Sequence, residues 1–211
     1  MLGMFTDRQE AGKQLAQKLE AYRGKDAVVF ALPRGGVIPG YEIAKVLGVP
    51  LDIIAVRKIG YPGNPEYAIG AIDGHGTTVL NETETAAVDK TWLAAEAGRQ
   101  QQEAERRSTL YRGGKKPASA EGRVAILVDD GIATGLTMRL AVRSVKMQKP
   151  KEIIVAIPVA PPEAVEALYR EGADEVLLLE PPEEFLGAVG AHYIQFDQVG
   201  DDEVIRLMRA I

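Results

Sequence analysis

Two adjacent carboxylates, Asp129 and Asp130, stand between an apolar run and a loop of small residues in the stretch Val124 to Thr137, VAILVDDGIATGLT. An apolar run of strand length that gives way to small residues and then to a helix start builds an anion cradle. Backbone N–H groups of the loop turn inward, and the first turn of the helix adds partial positive charge. Thr134 and Thr137 add hydroxyl donors, so a phosphate monoester is the natural guest. Carboxylates beside it accept hydrogen bonds only, which suits sugar hydroxyls. A second candidate group is Arg34 with Gly35 and Gly36, and a third is the basic pair Arg57 and Lys58; each follows an apolar run.

Other chemistries of an Asp pair after a strand are tested by their own patterns. No GxxxxGK[ST] occurs, which removes the P-loop option. No DxD follows a strand, and the glycines do not make G-x-G-x-x-G, so neither a phosphatase nor a dinucleotide site is expected. The chain has no cysteine and therefore no thiol nucleophile and no zinc–thiolate centre. His75 and His192 lack clustered partners and read as structural.

The elements that must hold these groups alternate between strand and helix. Apolar runs at Ala27–Leu32, Leu51–Val56, Val124–Val128, Ile153–Val159 and Val176–Leu179 show no in–out alternation, which marks strands covered on both faces. They predict an α/β fold, an open and mainly parallel sheet of about five strands with helices on both faces. Thr6 and Gln9 resemble a capping box, followed by an apolar stripe of Ala11, Leu15 and Leu19. An insertion of about 61–118 separates the second and third core strands. It holds a hairpin around Asp73-Gly74-His75-Gly76 and a polar helix from about Thr83 to Tyr111, with Trp92 as a packing anchor. Residues 180–200 are too apolar for a linker and are expected to pack as a C-terminal hood. The whole chain, 1–211, is expected to form one domain.

Composition narrows the setting. With 25 basic and 30 acidic residues the net charge is −5, which argues against a nucleic-acid binder. The basic run Arg106, Arg107, Arg112, Lys115 and Lys116 is the one local exception. No apolar run reaches the roughly 20 residues of a membrane span. The start MLGMFTDRQEAGK lacks the pattern of a signal peptide, so a cytoplasmic protein is expected.

VDDGIATGLT resembles the signature of the type I phosphoribosyltransferases, and the resemblance covers most of the chain. It implies that Asp129 and Asp130 hold the ribose hydroxyls of phosphoribosyl diphosphate (PRPP). Gly131, Ile132, Ala133, Thr134, Gly135 and Thr137 would hold its 5-phosphate. Leu32-Pro33-Arg34-Gly35-Gly36 is similar to the family's diphosphate loop, which often carries a non-proline cis peptide, and Arg57-Lys58 to a basic pair of the adenine-type branch. The insertion takes the place of a flexible catalytic loop and the hood that of the acceptor-binding segment, where Phe185, Tyr193 and Phe196 could stack on a base. Together PRGG, VRKIG, NPEYAIGAI and AVGAHYIQF are similar to a group of predicted bacterial phosphoribosyltransferases whose substrates are unsettled.

The implied reaction moves the 5-phosphoribosyl group to a nitrogen nucleophile, with Arg34, Arg57 and Lys58 catalytic at the leaving diphosphate. Mg2+ would be carried by PRPP, with no direct protein ligand. Ala133 stands where the 6-oxopurine branch has a carboxylate, which disfavours hypoxanthine and guanine. Expected partners are PRPP and an acceptor, with no membrane and no nucleic acid, and a homodimer is allowed. Two alternatives stay open at this stage, a PRPP- or nucleotide-binding regulator and a phosphoribosyl hydrolase.

Overall fold

A computed structural model describes residues 5–211. Five strands form one parallel sheet: β1 (Ala27–Ala31), β2 (Leu51–Ile53), β6 (Val124–Val128), β7 (Glu152–Ile157) and β8 (Glu175–Leu178). Their spatial order is β2-β1-β6-β7-β8. Period-two alternation divides each buried strand between two cores. Ala27, Val29 and Ala31 pack with Leu15, Ile43 and Leu47 on one side. Val28 and Phe30 pack with Met138, Val142 and Leu168 on the other. The first side is covered by α1 (Arg8–Lys18), α2 (Val37–Leu47) and α7 (Asp201–Arg209), the second by α5 (Leu136–Lys146) and α6 (Pro162–Glu171).

A second sheet is built by β3 (Val56–Tyr61), β4 (Asn64–Asp73) and β5 (Thr78–Leu80), all antiparallel. It lies between α5 and the long helix α4 (Lys90–Arg112). Ala71 and Val79 meet Leu140 of α5, whereas Ile59, Ile69 and Ile72 meet Trp92 and Leu93 of α4. The DGHG hairpin is present, and Asp73 Oδ1 closes it by accepting from the N–H groups of His75 and Thr77, both at 2.9 Å.

Several expectations are corrected. The apolar run Leu51–Val56 is not one strand: it leaves the parallel sheet after Ile53, and Val56 pairs with Asp73 in the second sheet. Arg57 and Lys58 therefore sit inside β3 rather than at a core strand's end, and the inserted structure begins at Val56 rather than near residue 61. The polar helix is broken into a single turn, α3 (Glu82–Thr85), and α4, whose cap Asp89 accepts from the Trp92 N–H at 2.8 Å. The first helix is capped by Asp7 rather than Thr6, one residue later than the capping box predicts. The Asp7 carboxylate accepts from the Glu10 N–H at 2.8 Å, and Glu10 reaches back to the Thr6 N–H at 2.6 Å. A charged acceptor at the positive end of a helix outcompetes a hydroxyl.

Candidate functional site

From β1 the chain moves outward to β2, while β6 returns to the opposite side of β1 and continues to β7 and β8. The order thus reverses between β1 and β6, and the turns after these two strands diverge there. Such a switch point opens a crevice at the carboxyl ends of a parallel sheet. Both candidate loops, Pro33–Gly36 and Asp129–Gly135, fall on it.

They approach so closely that side chains are excluded. A Cβ on Gly36 would stand 2.7 Å from the Leu32 carbonyl oxygen and 2.8 Å from the Asp129 Cα. A Cβ on Gly35 would run into the Asp130 carboxylate. The peptide between Pro33 and Arg34 is cis.

Gly131 adopts φ +146° and Gly135 φ +77°, both in the region that favours glycine. Gly135 caps α5 without a side-chain hydrogen bond, so the first amides of that helix have no side-chain acceptor. Ala133 and Thr134 are exposed, Thr137 is half-buried, and the Ile132 N–H is spent on the Val159 carbonyl at 2.9 Å. Burial, reinforced by the neighbouring Asp130 charge, holds the Asp129 carboxyl well above the ordinary carboxylate range. Asp130 is tied to a residue that sequence reasoning passed over: Arg8 Nε donates to its Oδ2 at 2.6 Å. Arg8 Nη1 donates to the Asp197 carbonyl at 2.8 Å, and its guanidinium lies 3.8 Å over the Phe196 ring. Tyr193 donates from its hydroxyl to the Asp130 carbonyl at 2.6 Å, and burial raises its ionisation far above the ordinary phenol range.

A basic wall rises beside the first loop. Arg34 Nη1 reaches Asp201 at the start of α7 at 3.5 Å, and Tyr111 of α4 donates to the same carboxylate at 2.7 Å. Burial pushes the Tyr111 phenol up to about 12, with Arg107 and Arg34 both close enough to pull it back. Arg57 donates to Gln100 Oε1 at 3.1 Å, and burial and then the Arg107 charge depress its pKa. Arg34, Arg57 and Arg107 therefore gather around Tyr111 and Asp201. Lys58 is exposed, on the alternate face of β3 with Val56, which packs beside Leu136 of α5.

Four members of the basic run pair with the chain's own groups. Arg106 and Arg107 share Glu103, Arg112 pairs with the buried Asp52 at 2.7 Å, and Lys115 caps the carbonyls of Met208 and Ile211. His192 is also structural. Its Nε2 accepts from the Leu186 N–H at 3.0 Å, which leaves Nδ1 to donate to Glu180 at 2.6 Å.

Tyr193, expected to stack on a base, instead holds the Asp130 carbonyl. Arg8, Tyr111 and Asp201 were all missed in the sequence. Arg8 had left a trace there: it is a cation in the first turn of a helix, where the helix dipole disfavours one, and such a broken local rule points to a constraint from outside the helix.

An open parallel sheet with two glycine-cut loops at its switch point and an acidic pair between them is the architecture of a phosphoribosyltransferase. The chain belongs to the phosphoribosyl transferase domain family, which it matches over residues 5–172. It is 41% identical over 207 residues to a Mycobacterium tuberculosis (strain H37Rv) protein whose name assigns it, provisionally, to the phosphoribosyl transferases. That match covers 97% of this chain and 46% of the relative, so the chain spans about half of the relative's length. The crystal structure of TT1426 from Thermus thermophilus superposes with a TM-score of 0.80 at 43% identity, covering 97% of each chain. A Neisseria gonorrhoeae protein with bound ppGpp shares the fold at a TM-score of 0.52 and 17% identity, with 98% and 95% of the two chains covered.

Among the described residues no group of three or more His, Cys, Asp or Glu side chains could hold a metal ion. No helix among them is long and apolar enough to cross a membrane.

Proposed function

We propose that the protein transfers the 5-phosphoribosyl group of PRPP to a nitrogen nucleophile and releases diphosphate. The observation that carries this reading is the convergence of the two glycine-cut loops on the acidic pair at one switch point. In this reading Asp129 and Asp130 take the ribose hydroxyls. The backbone of Gly131, Ile132, Ala133, Thr134 and Gly135 encloses the 5-phosphate together with the Thr137 hydroxyl and the open end of α5. Arg34, Gly35 and Gly36 face the diphosphate, and Arg57 and Lys58 approach from the second sheet. Arg107 joins them from α4.

The C1–O bond to diphosphate breaks with its electron pair on oxygen, a C1–N bond forms from the acceptor's lone pair, and an acceptor nitrogen that carries a proton loses it, whereas a pyridine-type nitrogen becomes cationic. Charge develops on the leaving oxygens and on the ribosyl carbon. The protein's contribution is to hold the two fragments in line, to set fixed cations beside the departing charge and to keep water from the carbon. Mg2+ carried by the diphosphate would neutralise part of that charge. Within the acidic pair Asp130 is tied to Arg8, so Asp129 would be the carboxylate beside that ion.

The test is calorimetric titration with PRPP and Mg2+, followed by a panel of ring nitrogen acceptors scored for diphosphate release. Saturable PRPP binding with acceptor-dependent release supports transfer. Release that proceeds equally without acceptor would instead make the protein a phosphoribosyl hydrolase.

A further inference from the structure

Between the diphosphate loop, Asp130 and the hood lies a cleft of about 370 Å³. Arg8, Arg34, Asp130 and Phe196 form its walls, with Asp197 and Gln198 at the rim. If PRPP binds as proposed above, this space adjoins the reacting carbon, and the acceptor must enter it.

A planar base is commonly gripped by stacking on an aromatic side chain, yet each aromatic of this hood already has a partner. Phe185 stacks on His192, with centroids 5.4 Å apart and planes 22° apart. Tyr193 is buried between Phe5, at 5.4 Å, and Phe196, at 4.9 Å. Phe196 carries the Arg8 guanidinium over its face at 3.8 Å.

What the cleft offers is a planar cation. Arg8 is fixed through Nε to Asp130 and through Nη1 to Asp197, and among the described residues no hydrogen bond engages Nη2. The side chain is only 10% exposed, so the guanidinium is held in a fixed position at the cleft. With Nε and Nη1 engaged, Nη2 is left to bring its N–H donors and part of a fixed positive charge to the cleft, which suits an anionic oxygen such as a carboxylate's. Asp197 places a like charge nearby, but it lies on the exposed rim, where water screens it.

We propose that Arg8 is the specificity-determining residue for the acceptor, and that the acceptor is a nitrogen ring bearing a carboxylate rather than a neutral aminopurine. This rests on the transferase reading above. It assigns Arg8 two contacts at once: Asp130, which holds the sugar, and the acid group of the ring that attacks it.

The experiment measures kcat/KM at saturating PRPP and Mg2+ for two pairs that differ in the acid group, nicotinate against nicotinamide and orotate against uracil, with adenine as the neutral planar arm. The unmodified protein favours the carboxylate member by about tenfold or more, the worth of one charge-assisted pair. Arg8→Gln brings the two members of each pair close to parity, and Arg8→Lys, which keeps a charge near Asp130 but cannot bond Asp130, Asp197 and a ligand at once, retains part of the preference. Because the ratio is taken between acceptors on one variant, a general loss of PRPP affinity cancels. If Arg8→Gln does not fold, Arg8→Lys carries the test.

Where PRPP binds without turnover, the same pairs are titrated into the protein loaded with Mg2+ and diphosphate, and the carboxylate member binds more tightly. Faster use of adenine, equal use or equal binding within each pair, or a preference untouched in both Arg8 variants overturns the assignment and leaves the transferase reading standing. Failure of the unmodified protein to bind PRPP at all removes both.

Discussion

The phosphate loop and the hood rest against each other and are built on different plans. The loop grows out of β6, a strand buried along its whole length, and ends in α5, so both of its ends are fixed by the core. The hood, residues 180–200, has only two short 3-10 turns, Pro182–Glu184 and Val189–His192. Its backbone is bonded to the segment before the first helix, through Phe5 and Thr6, and side chains add further ties: His192 to Glu180 and Leu186, Tyr193 to Asp130, and Phe196 under Arg8. Backbone geometry suits the part that meets an invariant phosphate, and replaceable side chains suit the part that meets the acceptor.

The largest effect is expected inside the loop region. Replacing Asp129 and Asp130 together by Asn removes the acceptor-only charge while keeping shape. PRPP affinity measured by calorimetry is expected to fall by about 100-fold, from the loss of charge-assisted bonds to the sugar. Unchanged affinity would show that the pair does not hold the ribose. Because the double variant also frees Arg8, a thermal melt must accompany it: loss of a largely buried ion-pair partner can cost about 3 kcal/mol by itself.

Next comes the contact between the two regions. Gly131 has φ +146°, and a Cβ there would stand 2.5 Å from Val189 Cγ1. Gly131→Ala is expected to cost about 2 kcal/mol in a denaturant melt, from backbone strain and from pushing the hood away. Adding Val189→Ala should recover the steric part but not the strain. A double variant as unstable as the single one would mean that the hood does not rest on the loop.

The smallest effect concerns a wall that neither region supplies. The Tyr111 phenol is pushed up to about 12, by burial first and by its bond to Asp201 second. The folded state thus favours the neutral phenol. The corresponding stability is complete below the unfolded-state value of about 10 and is lost as pH rises from about 10 toward about 12. Tyr111→Phe should flatten this alkaline loss by about 1–2 kcal/mol relative to the parent when melts are compared at pH 9 and pH 11.5. Parallel pH profiles for the two proteins would show that Tyr111 ionises freely.

How far these features could be read from the sequence follows how local their causes are. VAILV followed by two aspartates specified β6 and the loop, because a five-residue buried run, the glycines and the helix start all lie within fourteen residues. LDIIAV misled because its apolar character is continuous while its pairing is not. The partner of Val56 is Asp73, and nothing near Ile54 announces the change of sheet. Arg8 and Asp130 lie 122 residues apart, so only the folded chain brings them together. The last helix, α7, did have a local signature. Asp201, Asp202 and Glu203 open it, Arg206 and Arg209 close it, and Val204, Leu207 and Met208 form its buried stripe. It follows directly on the irregular hood, and its first residue, Asp201, is the counter-ion of Arg34.

The place of α5 has a consequence for protein engineering. Its inner side closes the core of the parallel sheet through Met138, Ala141 and Val142, and its outer side supports the second sheet through Leu140. The inserted stretch is therefore a roof beam rather than a removable canopy. Cutting it out would uncover Leu136 and Leu140 and strip Asp52, buried at the sheet's edge, of its Arg112 partner. A trimmed version of this chain would need new polar residues on that helix before any loss of activity could be attributed to the missing loop.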